Sequence, residues 1–131
     1  MKSFILTWNP DRWDWKTLDE DIERSEAGEV YSGRWSTGNT KSINSGDRVF
    51  LWRQKKGRGV IASGVAVSGW YEDQHYIEPD KKANYVDVEF ELLLRKQLSV
   101  EVLDEKTEFH WNNAMASGMS LSETDAAKVE E

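Results

Sequence analysis

The sequence contains no cysteine. Disulfides, thiolate metal sites and a cysteine nucleophile are therefore excluded, and a reducing, cytoplasmic setting is expected. Histidine is nearly absent as well. His75 and His110 stand alone, without a second ligand at metal spacing, so neither a metal nor another cofactor is expected. No phosphate-loop pattern, GxSxG elbow or histidine-rich motif occurs. Gly57-Arg58-Gly59 reads as a hairpin tip and not a dinucleotide loop, because no helix follows it. No apolar stretch approaches the ~20 residues of a membrane span, and no secretory signal is visible. No nucleophile, base and oxyanion donor can be assembled, so the reading is of a domain that is not an enzyme.

What remains is a chain of 131 residues with 38% hydrophobic and 31% charged residues, enough for one domain with one core. Net charge is -7, which by itself argues against a polyanionic partner. Its distribution argues the other way. Between Arg34 and Arg58 lie Arg34, Lys41, Arg48, Arg53, Lys55, Lys56 and Arg58 against Asp47 alone, a local charge of +6 beside -13 for the rest. Phosphate binding follows the local field. A hairpin tip merely solvated by lysines is the plainer alternative.

Seven tryptophans are the second anomaly. Trp8, Trp15 and Trp52 have apolar neighbours and read as core. Trp35, Trp70 and Trp111 sit in polar or Gly/Ser-rich surroundings. The segment GRWSTGNTK, residues 33–41, is the extreme case. An aromatic held there near cations is a stacking platform for a nucleobase, worth roughly 1–3 kcal/mol per base. Ser36, Thr37, Asn39 and their amides suit a base edge, and the basic hairpin suits the flanking phosphates. The alternative is that Trp35 caps one end of the fold.

The pattern predicts a first, central strand over KSFILTW, stopped at Asn9-Pro10. A helix follows, with Trp15, Leu18 and Ile22 on one face, Asp14 as N-cap and Gly28 as its stop. Strands are expected over EVYSGRW, RVFLWRQ (both faces partly apolar), VIASGVAVSGWY and YVDVEFELLLRK, with a short one at LSVEVL. In YVDVEFELLLRK, Val86, Val88, Phe90, Leu92 and Leu94 share a face. One helix and many strands imply an α+β domain whose sheet curls toward a barrel. Residues 1–119 form that domain. Ser120 with Glu123 resembles a capping box, so 120–131 is read as the start of a linker helix toward an effector domain in the same chain.

FILTWNPDRWDW, then GRWSTGNTKSINSGDRVFLWRQKKGRGVIASGVAVSGW, then YVDVEFELLLR and the late ASG together resemble an EVE domain, over roughly residues 1 to 120. That family has the PUA-like fold and is close to the YTH readers of methylated adenine. The TWNP…W opening is similar to EVE domains at the N-terminus of modification-dependent restriction endonucleases of the HNH or McrBC type. The resemblance implies a PUA-like curled β-barrel of about six strands with flanking helices. It also implies a DNA-binding reader that flips a modified base into an aromatic cage, C5-methyl- or hydroxymethylcytosine ahead of N6-methyladenine. The base-binding residues it implies are Trp35, Ser36, Thr37 and Trp70, with Trp8, Asn9, Ser117 and Gly118 at the pocket mouth. Lys41, Arg53, Lys55, Lys56 and Arg58 are the phosphate-binding candidates. The partner is nucleic acid, with modified DNA ahead of RNA, and no membrane. A YTH-like RNA reader and an ASCH-like nucleoside hydrolase using Lys106, Thr107 and Glu108 are the alternatives. On this reading, Trp35→Ala abolishes recognition and leaves the fold intact.

Overall fold

The computed structural model describes residues 2–10, 15–38, 41–54, 58–74, 81–99, 103, 119–121 and 129. The elements are β1 (Ser3–Trp8), α1 (Leu18–Glu26), β2 (Tyr31–Gly38), β3 (Arg48–Arg53), β4 (Gly59–Ala66), β5 (Tyr71–Gln74), β6 (Lys82–Leu98) and β7 (Met119–Leu121). The strands make one mixed sheet in the order β2-β6-β4-β3-β1-β7, with β5 also on β6. Among the described residues there are thus seven strands. They curl into the expected PUA-like α+β barrel, with β1 lying between parallel β3 and antiparallel β7.

Alternation in β1 and β3 explains why both are apolar on both faces. Phe4, Leu6, Trp8, Val49 and Leu51 point into the main core, which α1 covers through Ile22. Ile5, Phe50 and Trp52 point the other way, into a second cluster with Val60, Leu103, Leu121 and Val129. The short apolar runs therefore serve two small cores, one on each face of the sheet.

The helix starts one turn later than the sequence implied. Asp14 lies outside the described residues, and Thr17 precedes Leu18 without a side-chain cap bond. Asp19, Glu20 and Asp21 supply the first-turn negative charge that suits the dipole. The stop is as expected. Gly28 takes φ +90°, and the Gly28 and Glu29 amides donate to the carbonyls of Ser25 and Arg24.

Strand β6 departs from strict alternation. Val86, Val88 and Phe90 point inward as expected, but Leu92 is 48% exposed and Leu93 is buried. The cause is a β-bulge. Ser63 pairs with Leu92 and Gly64 with Phe90, so Glu91 is the extra residue and the facing flips after it. Two partners hold the bulge. The Leu93 amide donates to Ser25 Oγ of α1 at 2.9 Å, and Arg48 bridges Glu91 and Ser63. Gly64 is where β4 crosses it; a Cβ there would run into the Glu89 carbonyl oxygen and the Phe90 Cα.

Two further expectations change at the C-terminal side. Leu103, read as the end of a strand, is helical, and its amide donates to the Ser99 carbonyl. Ser120, read as a helix cap, is a β7 residue paired with Phe4, so register with β1 overrides the capping-box pattern. Val129 is helical and buried in the second cluster. Glu123 lies outside the described residues.

Candidate functional site

Curling brings β2 back toward β1, and Trp35 closes the seam between them. Its indole Nε1 donates to the Thr7 carbonyl at 2.9 Å. The ring is only 7% exposed and rests against Trp15 (5.4 Å between centroids) and edge-on to Phe90 (5.8 Å). Trp35 is therefore not a bare platform on a polar loop. It occupies an inward position of β2, and Thr37 is the next inward residue along, fully buried. The partners that bury it come from β6, β1 and the segment before α1, all distant in sequence.

The seam leaves a cavity of about 180 Å³, lined by Thr7, Trp8 and Asn9 at the end of β1, Arg34, Trp35 and Ser36 of β2, and Tyr85 of β6. Three of the seven lining residues are aromatic. Trp8 is held edge-on by Trp15 at 5.5 Å, and the Arg53 guanidinium carbon lies 5.0 Å from its ring centroid. Trp15 in turn donates its indole N–H to Asp21 at 2.9 Å. These walls are fixed by core packing, so the cavity exists before any ligand arrives.

A second irregularity adjoins it. Pairing of β2 with β6 shifts between Ser36 and Gly38, and the Gly38 amide donates to Ser36 Oγ. Gly38 has φ +63°, which a side chain rarely adopts. Asn84 donates to the Gly38 carbonyl and anchors the turn.

The polar side of the cavity is a connected set. Arg34 lies over the Tyr85 ring, 4.1 Å from its centroid, and Nη1 donates to Asp73 Oδ2 at 2.9 Å. The Gln74 amide, first, and Arg34, second, hold the Asp73 carboxyl below the usual carboxylate range. Tyr71 donates to Asp87 at 2.6 Å. Desolvation, then the Asp87 hydrogen bond and charge, push its hydroxyl up to about 12, so it stays protonated as a donor. Tyr85 donates to the Gln74 carbonyl. Among the described residues no carboxylate lines the cavity, and the one formal charge there is the Arg34 cation. Such a site favours a planar ligand bearing hydrogen-bond acceptors.

The residues expected from sequence divide accordingly. Trp8, Asn9, Trp35 and Ser36 come together at the cavity. Thr37 is buried beside it without lining it. Trp70 does not join them as a facing wall. It is 38% exposed after β4, with Lys41 Nζ 5.1 Å from its ring centroid. Arg53 packs on Trp8, and its Nε is buried with no hydrogen-bond partner among the described residues. Arg58 lies 5.7 Å from the Trp52 ring centroid. Asn39, Lys55, Lys56, His75, Lys106, Thr107, Glu108, His110, Trp111, Ser117 and Gly118 lie outside the described residues. Sequence reasoning missed Thr7, Arg34 and Tyr85 as lining residues. The available signal for Tyr85 was an aromatic on the otherwise acidic face of YVDVEFE.

Among the described residues no helix is long and apolar enough to cross a membrane, and no cluster of histidine and carboxylate side chains is set to hold a metal. The curled mixed sheet with its flanking helix places the chain in the PUA-like class. Three solved structures share that fold. Human THYN1, in complex with 5-methylcytosine-containing DNA, has a TM-score of 0.67 at 12% identity, covering 98% of this chain and 95% of that one. Protein PSPTO5229 from Pseudomonas syringae gives 0.64 at 13%, covering 98% and 97%. The MmI1 YTH domain gives 0.60 at 11%, covering 98% and 92%. Identities this low speak to the fold alone. No curated protein sequence matches. The family model for the EVE domain matches residues 2–131, and the chain belongs to that family.

Proposed function

We propose that this domain reads a modified base in DNA by taking one extruded nucleotide into the cavity between β1 and β2. The observation that carries the reading is the cavity itself, with Trp8, Trp35 and Tyr85 as apolar walls and Arg34, Ser36 and Asn9 as polar ones. A C5-methyl- or hydroxymethylcytosine is favoured over N6-methyladenine. The methylcytosine-containing DNA bound by THYN1 supports this choice.

Extrusion costs a few kcal/mol of lost stacking and pairing. Contact with preformed aromatic walls offsets it at roughly 1–3 kcal/mol per base. The methyl adds only about 1–3 kcal/mol, or roughly 10–200-fold. Selection of this size suits a specificity module acting with an effector, as in a modification-dependent restriction endonuclease.

The test is a panel of otherwise identical duplexes carrying cytosine, 5-methylcytosine, 5-hydroxymethylcytosine, adenine or N6-methyladenine, with a matched RNA, at one fixed salt concentration. C5-modified cytosine in DNA is expected to bind about tenfold or more above cytosine. Equal affinity across the panel, or a preference for methyladenine or for RNA, would overturn the reading.

The basic hairpin neutralises the flanking phosphates in this scheme. Replacing Arg58 by alanine is expected to weaken binding to modified and unmodified duplexes by the same factor. The salt slope should flatten by about 0.9 if the variant neutralises one phosphate fewer. Titrations at several salt concentrations check this; an unchanged slope removes Arg58 from the phosphate path.

A further inference from the structure

A cavity that recognises only a C5-methylated pyrimidine has a competitor in every stretch of DNA. Thymine has the same ring, the same methyl at the same carbon and nearly the same volume. The walls Trp8, Trp35 and Tyr85 see ring faces and the methyl, which the two bases share. Discrimination must come from the Watson–Crick edge. There cytosine presents adjacent acceptors at N3 and O2, whereas thymine presents an N3–H donor between two carbonyls.

Most polar lining groups fit either edge. Thr7, Asn9 and Ser36 each both donate and accept, and the Tyr85 hydroxyl proton is already given to the Gln74 carbonyl. The Trp35 N–H is already given to the Thr7 carbonyl. Arg34 is different. Its guanidinium carries five N–H donors in a planar fork and no acceptor. It is also held in place: stacked at 4.1 Å over Tyr85, tied through Nη1 to Asp73, with Tyr71 adjacent. One bond to Asp73 uses one of the five donors. Arg34 is one of the residues lining the cavity, and its side chain is 41% exposed, so it is not locked in the core.

We propose that Arg34 is the specificity-determining residue that distinguishes a C5-modified cytosine from thymine, by donating to the N3 and O2 acceptors of the base in the cavity. Thymine in the same pose turns its N3–H against a group that can only donate. Asp73 is the positioning residue, since it fixes the fork without touching the base. This rests on the base-reading function proposed above.

The experiment uses one duplex in which 5-methylcytosine, cytosine, thymine or uracil stands opposite an abasic site, so that no base pair has to be broken. Two ratios are read separately. The methyl ratios, 5-methylcytosine to cytosine and thymine to uracil, report the cavity. The edge ratio, 5-methylcytosine to thymine, reports Arg34 and is expected to be about tenfold or more, the size of a good bidentate contact. Arg34→Met keeps the apolar stem over Tyr85, and Arg34→Gln supplies an amide that can donate or accept. Both should bring the edge ratio close to one while leaving the methyl ratios unchanged. Arg34→Lys should retain part of the edge ratio, and Asp73→Asn should lower it without moving the methyl ratios.

An edge ratio that survives Arg34→Met and Arg34→Gln overturns the assignment. So does a uniform loss of affinity for all four bases, which identifies a phosphate contact. Methyl ratios of one in the wild type overturn the base-reading function itself, and the assignment with it.

Discussion

Trp35→Ala is expected to lower the stability of the domain by about 3–5 kcal/mol, the range for removing a large buried aromatic. The ring is 7% exposed and packs against Trp15 and Phe90. Its N–H also joins β2 to the Thr7 carbonyl of β1. Alanine leaves a void at the seam and removes the bond between β2 and the Thr7 carbonyl, and both effects act in the same direction. Domains of this size are stable by only about 5–15 kcal/mol, so much of that margin goes. The expectation from sequence, that Trp35→Ala spares the fold, is thereby corrected. Loss of binding in this variant does not by itself identify a base contact. Trp35→Phe separates the two roles, since it keeps an aromatic wall and removes the N–H. Urea unfolding of both variants checks this; a loss below about 1 kcal/mol for alanine, less than one typical hydrogen bond, would contradict the seam.

Gly64→Val is the second large effect. The Cβ at this position meets main-chain atoms, the Glu89 carbonyl oxygen and the Phe90 Cα, where β4 crosses the bulge in β6. A flexible side chain could swing away; two paired backbones cannot. The cost is expected at about 3 kcal/mol or more, the upper end for overpacking. Spreading the strands would also disturb the register that turns Leu93 inward and Leu92 outward. Gly69→Ala is the control, because a Cβ there has nothing within 4 Å. It should fall within about 0.5 kcal/mol of wild type, as surface changes usually do. Thermal or urea unfolding of the pair checks the contrast, and similar stability for both variants would contradict the crossing geometry.

These two positions mark the limits of what the sequence made legible. The two-sided apolar character of β3, the place of β1 inside the sheet, and the Gly28 stop were all readable, because each depends on local alternation or one backbone conformation. The bulge at Glu91 was not, since YVDVEFELLL fits unbroken alternation equally well. Only pairing with Ser63 and Gly64 and the Ser25 hydroxyl on the Leu93 amide select the flipped facing. Ser120 followed the same logic, its local capping pattern giving way to pairing with β1.

The cavity was legible in part. Trp35 and its neighbours were found because an indole in a polar segment is conspicuous, whereas Trp8, read as core from its apolar neighbours, and Asn9 came only through the resemblance to EVE domains. Its partners were not, because a sheet that curls brings Tyr85 and Thr7 to Trp35 from 50 and 28 positions away in sequence. Trp70 illustrates the opposite error. It shares with Trp35 a polar setting, but its ring stays on the surface beside Lys41 while that of Trp35 is enclosed. Composition around a tryptophan does not decide between those outcomes; the facing of its strand does.

The most direct measurement is the crystal structure of the domain with a short duplex carrying one 5-methylcytosine. The modified base is predicted outside the helix, in the seam between β1 and β2, against Trp8, Trp35 and Tyr85 with its N3 and O2 toward Arg34. A complex in which that base stays stacked in the duplex and the seam holds only solvent would contradict the account.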